Sequence, residues 1–227
     1  VQTGPRLIAV SGKSGTGKTT LAAAMARASS RRLVVIIATY QDPSYLSAID
    51  PNRTRFVAVY SGAVPLLGEY ILDTMRQGFR YLYISIKNLG PDEARAWIDG
   101  LVSALEEVGN LTLVVDEAHL FCRHEYVPPR IVQLCRWARS IGIDVVFISH
   151  RLTDLSPDIR AVLTYAVLFQ TDEPRDVADL CLRLGVPRED GAALLRRLTD
   201  WQHIVYDLQR GRHSPPQVFE RRYRPHP

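Results

Sequence analysis

The run Gly12-Lys13-Ser14-Gly15-Thr16-Gly17-Lys18-Thr19 has the spacing G-x-x-x-x-G-K-[ST], a phosphate-binding pattern with a physical basis. Small residues let backbone N–H groups converge on phosphate oxygens. A helix that starts at the end of the run adds its unpaired donors and the positive end of its dipole. The pattern makes all eight residues, with Thr20 behind them, candidates for nucleotide binding. Lys18 is expected to reach the β- and γ-phosphates, and Thr19 to offer its hydroxyl to Mg²⁺. The flanks agree, since an apolar run at 7–10 precedes the glycines and a helix-forming stretch at 20–28 follows them.

A second chemical signal is Leu113-Val114-Val115-Asp116-Glu117, an apolar strand pattern ending in two adjacent carboxylates. With a phosphate loop upstream, Asp116 is expected to hold Mg²⁺ or its water shell, and Glu117 to polarise water for in-line attack on the γ-phosphate. Adjacent residues leaving a strand point in different directions, so one can serve the metal and the other the nucleophile. A glutamate base implies hydrolysis rather than phosphoryl transfer to a metabolite. No guanine-selecting Asn-Lys-x-Asp is found, so ATP is the expected nucleotide.

Further candidates follow. His119 could line the site or cap the next segment, and the second reading is preferred. Ser149 and His150 end an apolar run at 144–148. If that strand lies beside the phosphate-loop strand, one of them faces the γ-phosphate and can sense its loss by a hydrogen bond. Arg136 and Arg139 lie on the preceding helix. If subunits pack in a ring, one of them could reach a neighbour's γ-phosphate, and Arg139, beside the Ser140-Ile141-Gly142 turn, is the better placed to project. Arg151 and Arg160 are additional candidates.

The elements that must position these residues alternate. Strands are expected at 7–10, 33–38, 55–59, 81–86, 111–115, 144–148 and 166–170, with an edge strand at 204–208. Helices are expected at 19–28, 92–107, 130–140, 174–184 and 189–198. Such alternation specifies an α/β fold, a P-loop NTPase with a mostly parallel sheet covered by helices on both faces. The segment 39–53, rich in Asp, Pro, Ser and Asn, reads as the least regular part of the body.

At 227 residues and 46% apolar composition, the chain can bury a full core and is expected to form one ATPase domain over 1–209. Residues 210–227 read as a basic, proline-rich tail. There Arg210, Arg212, Arg221, Arg222 and Arg224 against Glu220 account for the whole formal net charge of +4. The tail could touch a phosphate backbone or an acidic subunit face, or serve solubility alone. No membrane span or export signal is expected. Cys122, Cys135 and Cys181 have no metal-site spacing and read as buried thiols in a reducing interior.

The Gly12-to-Thr19 run, the Val114-Val115-Asp116-Glu117-Ala118-His119 strand end, and the Ala138-Arg139-Ser140-Ile141-Gly142 block leading to Ser149-His150-Arg151 together resemble the HerA/FtsK superfamily of additional-strand, glutamate-containing P-loop ATPases. Over about residues 6–185, and in its compact length, the chain is most similar to the genome-packaging ATPases of membrane-containing tailless double-stranded DNA viruses. The resemblance implies a homo-oligomeric, hexameric or similar ring that translocates double-stranded DNA. It also implies a capsid vertex or membrane protein as partner, and a cytoplasmic place in the host or association with the virion. It casts Glu117, Lys18, Arg139, His150 and Ser149 in the catalytic set, with Arg139 as a finger acting in trans. Where the cellular motors carry a sensor glutamine this chain has His150, and Lys13 adds a charge within the loop. A cellular or plasmid DNA-translocating ATPase, and an ATP-dependent morphogenesis or export protein, are the alternatives. Residues 39–53 and 61–67 are the candidate DNA-facing loops.

Overall fold

The computed structural model describes residues 5–39, 42–60, 67–123, 125, 127–184, 187–214 and 217–218. Its strands are β1 (Leu7–Ser11), β2 (Leu33–Ala38), β3 (Thr54–Tyr60), β4 (Tyr81–Asn88), β5 (Leu111–Val115), β6 (Asp144–Ser149), β7 (Tyr165–Phe169), β8 (Gln202–Asp207), β9 (Arg212–His213) and β10 (Gln217–Val218). Its helices are α1 (Lys18–Ala28), α2 (Pro43–Ala48), α3 (Leu67–Arg76), α4 (Pro91–Val108), α5 (Pro129–Ile141), α6 (Pro157–Val162), α7 (Pro174–Leu184) and α8 (Arg188–Arg197).

The strands form one sheet in the order β10-β8-β7-β1-β6-β5-β2-β4-β3, with β9 paired to β8. From β7 to β3 every pairing is parallel; β8 runs antiparallel to β7. The order matters for the site because β6 lies between β1 and β5. Register pairs Ser11 with Ser149 on one side and Leu168 on the other. The phosphate loop, the Ser149-His150 end and the Asp116-Glu117 end therefore all emerge from the same edge of the sheet.

Both faces of the sheet are covered, which is why the strands read as continuous apolar runs. All six residues of β2 are buried. Val35 and Ile37 join a core built with α3 to α8, whereas Val34 and Ile36 face the smaller core under α1 and α2. Truncating a fully buried residue such as Ile36 or Ile98 to alanine would cost about 2–5 kcal/mol.

The expected α/β fold is observed, with differences where local signals were weak. Segment 39–53 is more regular than its composition implied. It contains α2, started by the Asp42 side chain accepting from Ser44 N at 2.7 Å, and a 3₁₀ turn at Pro51–Arg53 capped by Asp50. A helix of six residues is too short to show a helical period. The same brevity hid α6, while α3 was not expected at all. Of the candidate loop 61–67, residues 61–66 lie outside the described residues, and Leu67 opens α3. Beyond residue 209, β9 and β10 add to the sheet through β8, and the remainder of the tail, 219–227, lies outside the described residues.

Candidate nucleotide site

The loop after β1 is pinned to the ends of both neighbouring strands. Gly12 N donates to His150 O at 3.2 Å, and Lys13 N donates to Gln170 O at 3.0 Å. Gly12 has φ 143°, and a Cβ there would lie 2.6 Å from Phe169 Cβ. Gly17 has φ 104°, and its Cβ would lie 2.6 Å from the Trp201 ring. Trp201, itself at φ 70°, donates its N–H to Thr16 O at 3.2 Å. Its place on the loop was not foreseen; nothing in the sequence around 199–202 marks it, and only the antiparallel return of β8 brings it there.

Helix α1 begins on Gly17 with no side-chain cap and no acid in its first turn. Its leading N–H groups have no carbonyl four residues back, so that end is prepared for an anion. Lys18 is buried at 7% exposure, and its Nζ donates to Lys13 O at 2.6 Å, which also accepts from Thr16 Oγ1 at 2.8 Å. Burial lowers the Lys18 pKa, and the nearby charges of Glu117 and Asp116 oppose that shift. A desolvated ammonium beside an uncapped helix start fits the phosphates of a nucleotide. Ser14 and Gly15 stand exposed at the tip of the loop, and Thr19 and Thr20 are half-buried. The Thr20 hydroxyl lies 3.4 Å from Ser44 Oγ on α2.

Asp116 leaves β5 buried at 6% exposure, its N–H donating to Ile37 O at 2.9 Å. Its carboxyl is raised to about 7, first by burial and then by the charges of Glu117 and Asp42, against a hydrogen bond from Glu117 N. That bond, to Asp116 Oδ1, measures 2.9 Å. A buried carboxylate crowded by other acids is a place where a divalent cation restores the charge balance. The oxygen chemistry of Asp116 and Thr19 is of the kind that takes Mg²⁺.

Glu117 occupies the left-handed region at φ 51°, a conformation that costs a non-glycine residue about 1 kcal/mol or more. The kink turns its side chain away from Asp116 towards two imidazoles. Glu117 Oε2 lies 3.2 Å from His119 Nδ1 and 3.4 Å from His150 Nε2. The two rings stand edge to face with centroids 5.1 Å apart. His119 thus lines the site and does not merely cap the next segment, because the 3₁₀ turn Ala118–Leu120 folds it back over Glu117. Burial lowers its pKa, the Glu117 charge opposes this, and the neighbouring His150 adds to it. Ser149 is buried at 1% exposure and donates its hydroxyl to Arg151 O at 2.8 Å. Of the two residues offered as the sensor, His150 is the one that faces Glu117.

Two other expected residues sit elsewhere. The Lys13 side chain turns outward to Asp172, at 3.0 Å with both groups about half exposed or more; only its backbone belongs to the cradle. Arg139 occupies the last turn of α5, at the opposite edge of the sheet. Strands of five or six residues put about 15–20 Å between the two edges. Arg139 borders a pocket of about 370 Å³ with Arg136 and Arg160. Arg136 lies 3.9 Å from Asp158, and Arg160 pairs with Asp179 at 3.3 Å. Arg151 pairs with Glu173 at 3.1 Å.

The fold is shared with solved structures at low identity. The genome packaging NTPase B204 from Sulfolobus turreted icosahedral virus 2, in complex with AMPPCP, superposes with a TM-score of 0.67 at 16% identity, covering 95% of this chain and 98% of that one. Its complex with sulfate gives 0.68 at 15% identity, covering 95% and 97%. VirB4 of Thermoanaerobacter pseudethanolicus gives 0.65 at 12% identity, covering 93% of this chain and 89% of that one. The expected likeness to the packaging ATPases thus holds for the fold. No curated protein matches the chain by sequence. A model of the AAA domain matches residues 1–152, from ahead of the phosphate loop to just past His150 at the end of β6, and by that match the chain belongs to the AAA domain family of P-loop proteins.

Proposed function

We propose that the chain is an ATP-hydrolysing motor that translocates double-stranded DNA, working as a homo-oligomeric ring that packages a viral genome. The observation that carries the hydrolase part is the common edge of β1, β6 and β5, which assembles Lys18, His150, Asp116 and Glu117 around one space. The packaging part is supported by a fold shared across the whole length of a viral genome packaging NTPase.

In this reading the loop N–H groups and Lys18 bind the β- and γ-phosphates, and their fixed positive charge favours the transition state. Asp116 and Thr19 hold Mg²⁺, which supplies further neutralisation of phosphate charge when bound. Glu117 orients the attacking water and takes its proton at a carboxylate oxygen. His150 reaches both functions, because its ring meets Glu117 while its carbonyl holds Gly12 N. Arg139 lies too far from the loop of its own chain to contact the nucleotide, so any role as a finger is exercised on a neighbour. A capsid vertex or membrane protein would receive the ring, in the host cytoplasm or on the virion; among the described residues no helix is long and apolar enough to cross a membrane.

The test is ATP hydrolysis with and without duplex DNA, together with the mass of the assembly with and without nucleotide. Stimulation by DNA and a ring mass are expected. Hydrolysis indifferent to DNA, or a monomer under all conditions, would sink the motor reading. Full activity in Arg139→Ala would remove that residue from the mechanism.

A further inference from the structure

We propose that Glu117, His119 and His150 form a binding site for a transition-type divalent cation of the Zn²⁺ class, distinct from the Mg²⁺ site of Asp116 and Thr19. The three ligand atoms lie within 4.8 Å of one another. Tetrahedral coordination at bond lengths of about 2.0–2.1 Å puts neighbouring ligand atoms about 3.3–3.4 Å apart. The observed separations from Glu117 Oε2 are 3.2 Å to His119 Nδ1 and 3.4 Å to His150 Nε2. These match two of the three edges of such a polyhedron, and the third, between the two imidazole nitrogens, is within 4.8 Å.

Hydrogen bonding does not explain the closer approach. His119 Nδ1 is buried without a hydrogen-bond partner although Glu117 Oε2 lies 3.2 Å away, and a cation held between the two would satisfy both atoms. All three ligands are held by the backbone. Glu117 N is tied to Asp116, the turn carrying His119 is closed by Leu120 N donating to Glu117 O at 2.8 Å, and the His150 carbonyl takes Gly12 N. The His150 side chain is 41% exposed, which leaves an entry path and room for water as a fourth ligand.

Two imidazoles and one carboxylate select Zn²⁺ and its neighbours over Mg²⁺, which takes oxygen ligands. Sulfur takes no part: Cys122, the nearest cysteine in sequence, is fully buried and its thiol is pushed up by burial. Occupancy has a consequence that rests on the hydrolase reading above. A Glu117 carboxylate bound to zinc cannot accept a proton from water, so zinc would arrest hydrolysis while leaving the phosphate cradle intact.

Zinc affinity of the full, nucleotide-free chain, measured by competition with a chromophoric chelator, tests the site. One Zn²⁺ per chain is expected, with His119→Gln and His150→Gln each weakening it by roughly tenfold or more. His213→Gln, an exposed imidazole elsewhere, should leave it unchanged. Co²⁺ in place of zinc should show the strong visible absorption of a low-coordinate ion. If His119→Gln fails to fold, the more exposed His150→Gln decides. Unchanged affinity in the histidine variants, or loss only in Asp116→Asn, would overturn the proposal. For the arrest, stoichiometric zinc should reduce ATP hydrolysis at saturating Mg²⁺ without displacing a fluorescent nucleotide, and a zinc-selective chelator should restore it. Equal inhibition of the histidine variants would refute the arrest. A chain that hydrolyses no ATP would refute the hydrolase reading, while the zinc titration still decides the site.

Discussion

The phosphate loop and the Glu117 cluster stand a few ångströms apart on one sheet edge, yet they are built by opposite means. The loop is contiguous, and it is built mostly by backbone: positive-φ glycines, a helix start without a side-chain cap, and one buried lysine. The cluster is made of side chains that meet only because β6 lies between β1 and β5 and because Glu117 adopts a left-handed turn. A backbone-built site tolerates changes in side chains that point outward and fails when a Cβ is added. A side-chain-built site keeps its fold when a functional group is changed but loses its chemistry.

The largest expected effect separates binding from turnover. Lys18→Ala should abolish nucleotide binding, whereas Glu117→Gln should keep binding while hydrolysis falls by roughly a hundredfold or more. Equilibrium binding of a fluorescent nucleotide beside steady-state hydrolysis reads both. If Glu117→Gln lost binding instead, the two regions would not be separable.

Gly17→Ala strikes the loop through its backbone. A Cβ forced against the Trp201 ring at φ 104° should cost about 2–3 kcal/mol, seen in denaturant unfolding, and should weaken nucleotide binding. In a double-mutant cycle Gly17→Ala should cost less in a Trp201→Ala background than in the parent, because the collision is gone. An equal cost in both backgrounds would show that φ strain alone sets it.

Asp116 gives a pH signature. Its carboxyl rises from the ordinary 3.8 to about 7 in the fold. Below the lower value both states are protonated and nothing is lost; between the two values only the unfolded chain ionises. The nucleotide-free protein should therefore lose stability as pH rises from about 4 to about 7, and level off above that. Asp116→Asn should remove that slope and stabilise the nucleotide-free chain at pH 8 by up to about 4 kcal/mol, while abolishing hydrolysis. A slope unchanged in the variant would assign it to another group.

The smallest effect is expected at Lys13. Its ion pair with Asp172 is about half exposed on both sides, so Lys13→Ala should change stability by about 0.5 kcal/mol or less and leave nucleotide binding near its original level. A large loss of binding would bring the lysine into the cradle.

Much of this was legible beforehand, for identifiable reasons. The strands were visible because a sheet buried on both faces demands unbroken apolar runs. The loop was visible because phosphate binding by backbone dictates glycine spacing. Short helices such as α2 and α6 were not, since six residues carry no period. Arg139 was placed on its helix correctly, but which sheet edge that helix end reaches is a matter of topology.

The sequence by itself determined the α/β class, the phosphate loop and the carboxylate pair, because each is encoded in consecutive residues under local backbone rules. The tertiary structure decided that His119 and His150 converge on Glu117, that Trp201 closes over Gly17, and that Lys13 faces outward. Those outcomes depend on strand order and on the left-handed residues Glu117 and Trp201. Contacts between residues far apart in the chain follow from how the whole sheet packs, which no local pattern specifies.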